Sequence, residues 1–319
     1  MTGLLERLGV ELPVLQAGMA GGIAGHELAA AVSEAGGLGT LGLIDPAGLR
    51  RELAAARERT SRPVAVNMLL PFARAAHWKA AAAADAVVTF WGRSRRRTET
   101  PWLHQCGSVE ESRAAHAAGA DGVIVQGVEA GGHVAGAVPA LELLDRVRRA
   151  LPAGFPVLVA GGIAVATDVA AALDAGATAA VLGTRFLMTP ESRAHPGYRD
   201  RVGYASETIL TGLFGLGWPA LHRVVPNQAT RRWLKRGARE PFLLRALNQA
   251  SRPLRHLGAT DAAPLQRPGL PLFSPQPPVD GHPYSVLDAA PLYAGETALR
   301  IDDVRPAGAL TLELAGKAP

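Results

Sequence analysis

The chain alternates between two textures. Ala-rich stretches with apolar residues at helical spacing give way to short aliphatic and β-branched runs, and the pair recurs along the first two thirds of the sequence. The clearest copies are AAHAAGADGVIVQG (114–127) and AALDAGATAAVLGT (171–184). Each holds a helix end, an Ala-Gly-Ala turn and a hydrophobic strand, with glycine near the strand's end. AAVSEAGGLGTLGL (30–43) and AAAADAVVTFWG (81–92) are weaker copies. Glycine at a helix end supplies the left-handed residue that turns the chain back into a strand.

Eight strands are predicted, near Pro13–Met19, Leu38–Leu43, Val64–Leu70, Ala86–Trp91, Trp102–Gly107, Gly122–Gln126, Pro156–Ala160 and Ala179–Gly183. Runs such as VLVAG and AAVLG are apolar throughout, as strands buried on both faces must be. Gly25–Ala35, Val138–Ala150 and Thr167–Ala175 have helical length and periodicity. Eight such units predict an α/β fold of the (β/α)8 barrel type, since a doubly wound sheet usually has roughly five or six strands. The fourth unit departs from the pattern. Only Arg93–Pro101 separates its strand from the next, too short for a crossover helix, so a loop or a single helical turn is expected.

After Gly183 the alternation ends. Residues 184–250 show helix-like stretches (Ala229–Arg236, Pro241–Ala250) without clear strands, and 258–283 are rich in proline and glycine. The expected organisation is a ligand-binding barrel over 1–210, a helical cap inserted after strand eight over 211–257, and an extended C-terminal tail. That tail, 258–319, reads as a Pro-rich arm that returns to the barrel.

Composition adds limits. A 48% hydrophobic and 19% charged chain indicates a globular protein with a sizeable core. With 5% aromatic residues, that core is mostly Ala, Val, Leu and Ile. The net charge of +5 is concentrated in Arg93–Arg97 and the Arg231–Arg255 region. Neither is interleaved with aromatics as a stacking platform would be, so no nucleic-acid partner is expected. No stretch approaches the roughly 20 apolar residues of a membrane span, and the opening MTGLLERLGVELPVLQ lacks the basic start and apolar run of a secretory signal. No membrane association and a cytoplasmic location are therefore expected. The single cysteine, Cys106, excludes an intrachain disulfide and reads as a small packing residue or a passive part of the site's lining.

In such a barrel, ligands bind at the C-terminal strand ends. Strand seven ends in Ala160-Gly161-Gly162-Ile163 and strand eight in Gly183-Thr184-Arg185-Phe186. Small residues there let backbone N–H groups approach an anion, which points to a phosphate cradle. Strand one ends in Gln16-Ala17-Gly18-Met19, with little bulk to keep a flat ring off the backbone. Asn67 ends strand three, where its amide either meets the polar edge of a ring or satisfies a loop carbonyl. After strand six, Gln126-Gly127-Val128-Glu129-Ala130-Gly131-Gly132-His133 places an imidazole on a glycine-rich loop. Histidine is the side chain able to move a proton in both directions near neutrality. His133 is therefore the catalytic candidate among nine histidines, with His104 in strand five also able to face the lumen. Glu129 would either orient His133 or cap the next helix. The three lysines, Lys79, Lys235 and Lys317, avoid strand ends, which argues against Schiff-base chemistry. No metal-ligand spacing is present, so no metal site is expected.

VLQAGMAGG, AVNMLL, VQGVEAGGHVAG, VLVAGGI, VLGTRFLMTPES and PLYAGE together resemble the nitronate monooxygenase (2-nitropropane dioxygenase-like) family of FMN-dependent TIM barrels. The resemblance covers about residues 6–210 and resumes near 290. FMN-dependent enoyl-acyl-carrier-protein reductases share the motifs. The resemblance implies FMN, its phosphate at Gly161, Gly162, Gly183 and Thr184, beside Ala160. It implies an isoalloxazine ring near Ala17, Gly18, Met19, Asn67, Gln126, Gly131 and Gly132, with His133 beside the substrate. The implied reaction takes an alkyl nitronate, or a nitroalkane deprotonated by His133, with O2 to a carbonyl compound and nitrite. An NAD(P)H-dependent reductase of enoyl thioesters is the alternative, and a flavin-binding partner subunit without turnover is a third reading. Two departures stand out: QAGM, where many family monooxygenases have proline before methionine, and RSRRRTETPW in the shortened fourth unit.

Overall fold

The computed structural model describes residues 3–93, 95–234, 239–253 and 262–318. The end of the expected Ala229–Arg236 helix and the expected boundary at 257/258 lie outside them. Eight parallel strands form the centre: β1 (Val14–Gln16), β2 (Gly39–Leu41), β3 (Val64–Leu69), β4 (Ala86–Phe90), β5 (Trp102–Cys106), β6 (Gly122–Gln126), β7 (Val157–Ala160) and β8 (Ala180–Leu182). Their order is β1-β8-β7-β6-β5-β4-β3-β2. A parallel bridge between Leu15 and Leu38 joins the two ends and closes the barrel. All eight strands lie within the predicted runs, and the register is continuous, as in Ile124↔Leu158 and Ala160↔Val181.

Alternation along each strand sorts side chains between two cores. Leu15, Val88, Leu103, Ile124, Leu158 and Val181 fill the lumen, closed at its base by Leu4 and Leu8 of α1 (Leu4–Leu8). Val14, Val123, Val125, Val157 and Val159 face outward onto the helices. The helices are α2 (His26–Glu34), α3 (Pro46–Arg59), α4 (Ala75–Ala81), α5 (Val109–Ala117), α6 (Ala140–Ala150), α7 (Ala166–Asp174) and the short α8 (Thr184–Leu187). Local sequence explains their limits. Asp45 caps α3, accepting from the N–H of Ala47 and Gly48 at 3.0 and 2.9 Å, with Pro46 at the first helical position. α6 buries Leu143, Leu144 and Val147 and turns Arg146, Arg148 and Arg149 outward. Residues 91–101 form no helix among the described positions, as the short spacing requires.

The C-terminal helix Ala307–Leu314 packs against α2 and α7. It occupies the place beside β8 that the four-residue α8 leaves uncovered, and Leu310 and Leu314 join the outer core. The region after β8 holds helices Pro196–Gly203, Gln228–Trp233 and Phe242–Ala250. It also carries a small antiparallel sheet that the sequence pattern did not mark. In it, His222–Val225 pairs along one edge with Ile209–Thr211, and along the other with Gly132–His133 and Leu292–Tyr293. This sheet fastens both the loop after β6 and the tail to the cap. Elsewhere, Arg193 reaches Glu27 at 2.6 Å, Glu52 at 2.8 Å and His26 at 2.9 Å, tying the segment after α8 to α2 and α3. A guanidinium thus already supplies the cation among these three potential ligands.

Candidate active site

The C-terminal strand ends and the cap enclose a cavity of about 880 Å³. Ala17, Gly18 and Met19 after β1, Asn67 of β3, and Gln126, Gly131, Gly132 and His133 at the end of β6 and in its loop all line it. So do Ala160, Gly161 and Gly162 at the end of β7, and Gly183 and Thr184 after β8. The thirteen positions singled out from the sequence therefore meet at one site. Lumen residues Leu15, Val88, Ile124 and Val181 form its floor.

At the β7–β8 side, the backbone is arranged to donate. Gly161 and Gly162 have φ of +113° and +73°, conformations that favour glycine. The N–H groups of Gly162, Ile163, Gly183 and Thr184 have no acceptor among the described residues. The Thr184 hydroxyl accepts from the Gly295 N–H at 2.9 Å, which brings the tail to this corner. A Cβ on Gly183 would meet only the Ala17 methyl at 3.8 Å, so the space before it is open.

The loop after β6 is held at several points. Gln126, buried, donates from Nε2 to the His133 carbonyl at 3.0 Å and accepts at Oε1 from the Ala135 N–H at 3.0 Å. Strand pairing sets His133 opposite His222. Gly131 has Gly295 N within 2.4 Å of where a Cβ would stand, so any side chain would push the tail away. Glu129 resolves as a cap: both its carboxylate oxygens accept from the Ala140 N–H at 3.1 Å, at the start of α6. It makes no bond to His133.

The imidazole of His133 makes no side-chain hydrogen bond among the described residues, and its Nε2 is shut off from solvent. Its ring stacks on Trp218 at 3.8 Å and stands 5.4 Å from the rings of His222 and Tyr293. Burial holds its pKa well below the usual histidine value, and the neighbouring His222 lowers it further. His133 is therefore neutral at physiological pH, with a lone pair and an N–H uncommitted. His222 contrasts with it. Nδ1 pairs with the Ala220 carbonyl at 2.9 Å and Nε2 accepts from the Phe214 N–H at 3.2 Å, so both nitrogens are used. Burial lowers its pKa to about 4.

Asn67 donates to the Gly18 carbonyl at 2.8 Å, which satisfies a loop carbonyl while its Oδ1 has no partner among the described residues. Both readings of this amide are thus compatible with its position. His104 does not line the cavity. It is buried against Thr89 (Nδ1 to Oγ1 2.6 Å) and Trp102, with its pKa lowered to about 4 by desolvation. Cys106 is buried, its thiol pushed up to about 12, and packs in the outer core. The sequence pattern missed the groups that complete the wall: Gln105 of β5, Phe72 and Phe90, Trp218 from the cap, and Gln276 from the arm. An aromatic after two glycines in LFGLGW carries no periodic signal that would mark Trp218 beforehand.

A model of the nitronate monooxygenase family matches residues 3–105 and 93–233. The chain belongs to that family. Its relatives include the nitronate monooxygenase of Pseudomonas aeruginosa, 32% identical over 270 residues that cover 66% of this chain and 77% of that protein. They also include a (3aS,4S,5R,7aS)-5-hydroxy-7a-methyl-1-oxo-octahydro-1H-indene-4-carboxyl-CoA dehydrogenase of Mycobacterium tuberculosis, 33% identical over 268 residues, 79% of this chain and 73% of that one. Among solved structures, FabK from Thermotoga maritima superposes with a TM-score of 0.78 at 28% identity, covering 98% of this chain and 94% of that chain. This member of the nitronate monooxygenase family is accordingly a flavin-dependent oxidoreductase acting on a small molecule, and the reading as a subunit without turnover is set aside. Among the described residues, no helix is long and apolar enough to cross a membrane.

Proposed function

We propose that the chain binds FMN in this cavity and oxidises alkyl nitronates, and nitroalkanes through them, with O2 to a carbonyl compound and nitrite. The observation that carries this reading is the neutral, uncommitted imidazole of His133 in a largely apolar cavity walled by glycines. The volume suits a cofactor with a small substrate. The open N–H groups of Gly162, Ile163, Gly183 and Thr184 fit a phosphate, which such donors bind without side-chain charge. Ala17, Gly18, Met19 and Gly131 would lie along the ring, with Gly132 beside it. The open Oδ1 of Asn67 and the remaining donor and acceptor of Gln126 would face its polar edge.

When bound, FMN supplies acceptance of electrons from the nitronate and their delivery to O2. The protein supplies the proton chemistry and the setting. His133 accepts the α-proton of a neutral nitroalkane. Its buried setting disfavours the imidazolium, but the nitronate formed beside it is an anion, and the resulting ion pair offsets that cost. A nitronate supplied as such requires no proton transfer, so His133 then only orients it. Gln126 fixes the loop that carries the imidazole, and Trp218 with Phe72 and Phe90 excludes water.

A second reading is favoured by one comparison: the relative from M. tuberculosis bears the name of a CoA thioester dehydrogenase. In that reading the cavity takes a thioester. A dehydrogenase would pass electrons from it to the flavin, whereas a reductase would run the other way, with NAD(P)H as donor to the flavin and an enoyl thioester as acceptor. Nitrite release from propionate 3-nitronate and nitroethane tests the first reading. Anaerobic flavin bleaching by an acyl-CoA thioester, or NAD(P)H consumption that depends on an enoyl thioester, tests the second in its two directions. Purified protein that neither carries nor takes up FMN would overturn both.

A further inference from the structure

The helix Phe242–Ala250 of the cap is amphipathic with its apolar face turned outward. Phe242, Leu243, Ala246, Leu247 and Ala250 share one side at helical spacing, and all are exposed, Phe242 by 74% and Leu243 by 78%. The opposite side does the packing. Leu244 joins Leu213, Phe214 and Phe273, and Asn248 donates to the Gly212 carbonyl at 3.0 Å. An apolar stripe of this kind on a soluble surface marks an interaction site.

Charge indicates the partner. Residues 228–253 hold seven basic side chains against one acidic, a local +6 in a chain whose total is +5. Arg231, Arg232, Arg239, Arg245 and Arg252 are exposed and form no ion pair among the described residues. Arg245 borders the stripe on the helix itself, Arg239 precedes the helix and Arg252 follows it. We propose that this helix docks the protein on an anionic lipid surface, its apolar face among the acyl chains and its arginines at the headgroups. This runs against the expectation, drawn from the lack of a spanning segment, that no membrane is involved. A second copy of the chain fits less well, because a two-fold contact across the stripe would set arginines against arginines. Nucleic acid would leave Leu243 and Leu247 without an apolar partner.

The docking surface adjoins the cavity. Ser251, at the end of the helix, accepts from the Gly217 N–H at 2.8 Å, next to the Trp218 that covers His133. Flotation of the purified protein with vesicles tests the proposal independently of any reaction. Binding is expected to equimolar phosphatidylcholine and phosphatidylglycerol vesicles but not to phosphatidylcholine alone, and to weaken in high salt. Phe242→Ser should reduce partition about tenfold or more, and Arg245→Gln about fivefold. Neither side chain supports the fold, so visible flavin absorbance and melting temperature should stay at the wild-type level. Lack of binding to the anionic vesicles would overturn the proposal, as would equal binding by wild type and both variants. A dimer in light scattering that Phe242→Ser dissociates would also overturn it in favour of self-association.

Discussion

The imidazole of His133 lies nearly flat on the indole of Trp218, with centroids 3.8 Å apart and planes inclined by 21°. The two residues come from different parts of the chain, the loop after β6 and the cap, and Phe72 and Trp91 wedge Trp218 in place edge-on at 5.1 and 5.6 Å. A neutral imidazole gains packing from this contact. A protonated one gains more, because the indole face attracts a cation by ~0.5–2 kcal/mol. Trp218→Leu should therefore lower kcat/KM for nitroethane about threefold to thirtyfold and leave turnover of a preformed nitronate less affected. Nitrite release with the two substrates measures the difference; equal losses would place Trp218 in substrate binding instead.

His133→Asn keeps a polar side chain of similar reach and removes the base. Flavin content should match wild type, since the phosphate cradle lies at β7 and β8. Turnover of neutral nitroalkanes should fall by about 10²–10⁴, the usual worth of a positioned general base. Nitronates should still react. Unchanged turnover of nitroethane would remove His133 from the mechanism.

Much of this arrangement was legible in the sequence because barrel strands carry their own signal. VLVA and GVIVQ are buried on both faces and read as apolar wherever they pack. The glycines at the strand ends were legible for the same local reason. The cap sheet was not. Ile209–Thr211 and His222–Val225 are three and four residues long, and the second is held by partners as distant as Gly132–His133 and Leu292–Tyr293. Such pairing is set by tertiary contact rather than by period, and Trp218 rides on the loop between those two strands. Glu129 was legible as one of two things, and only the 3.1 Å contacts to Ala140 decide between them.

Gly183 offers a substitution that separates folding from ligand binding. Its added Cβ meets nothing closer than the Ala17 methyl at 3.8 Å, and its φ is negative, so Gly183→Val introduces no backbone clash. The new methyls enter the space before the open N–H groups. The variant should fold, with a melting temperature near that of flavin-free wild type, and retain about tenfold less flavin by visible absorbance. Full flavin retention would move the phosphate away from β8.

Buried histidines, His133 among them, make stability depend on acidity. His104 and His222 both have pKa values lowered to about 4 by burial, against 6.5 when exposed. The unfolded chain binds their protons first, so stability is highest above pH 6.5 and declines as the pH falls toward 4, by up to about 1.4 kcal/mol per pH unit for each histidine. Urea unfolding between pH 7 and pH 4 should show this slope. His104→Gln removes one titrating group and replaces its bond to Thr89 with an amide. That variant should begin less stable at pH 7 and lose stability less steeply on acidification. A slope as steep as wild type would show that His104 is not held neutral in the folded protein.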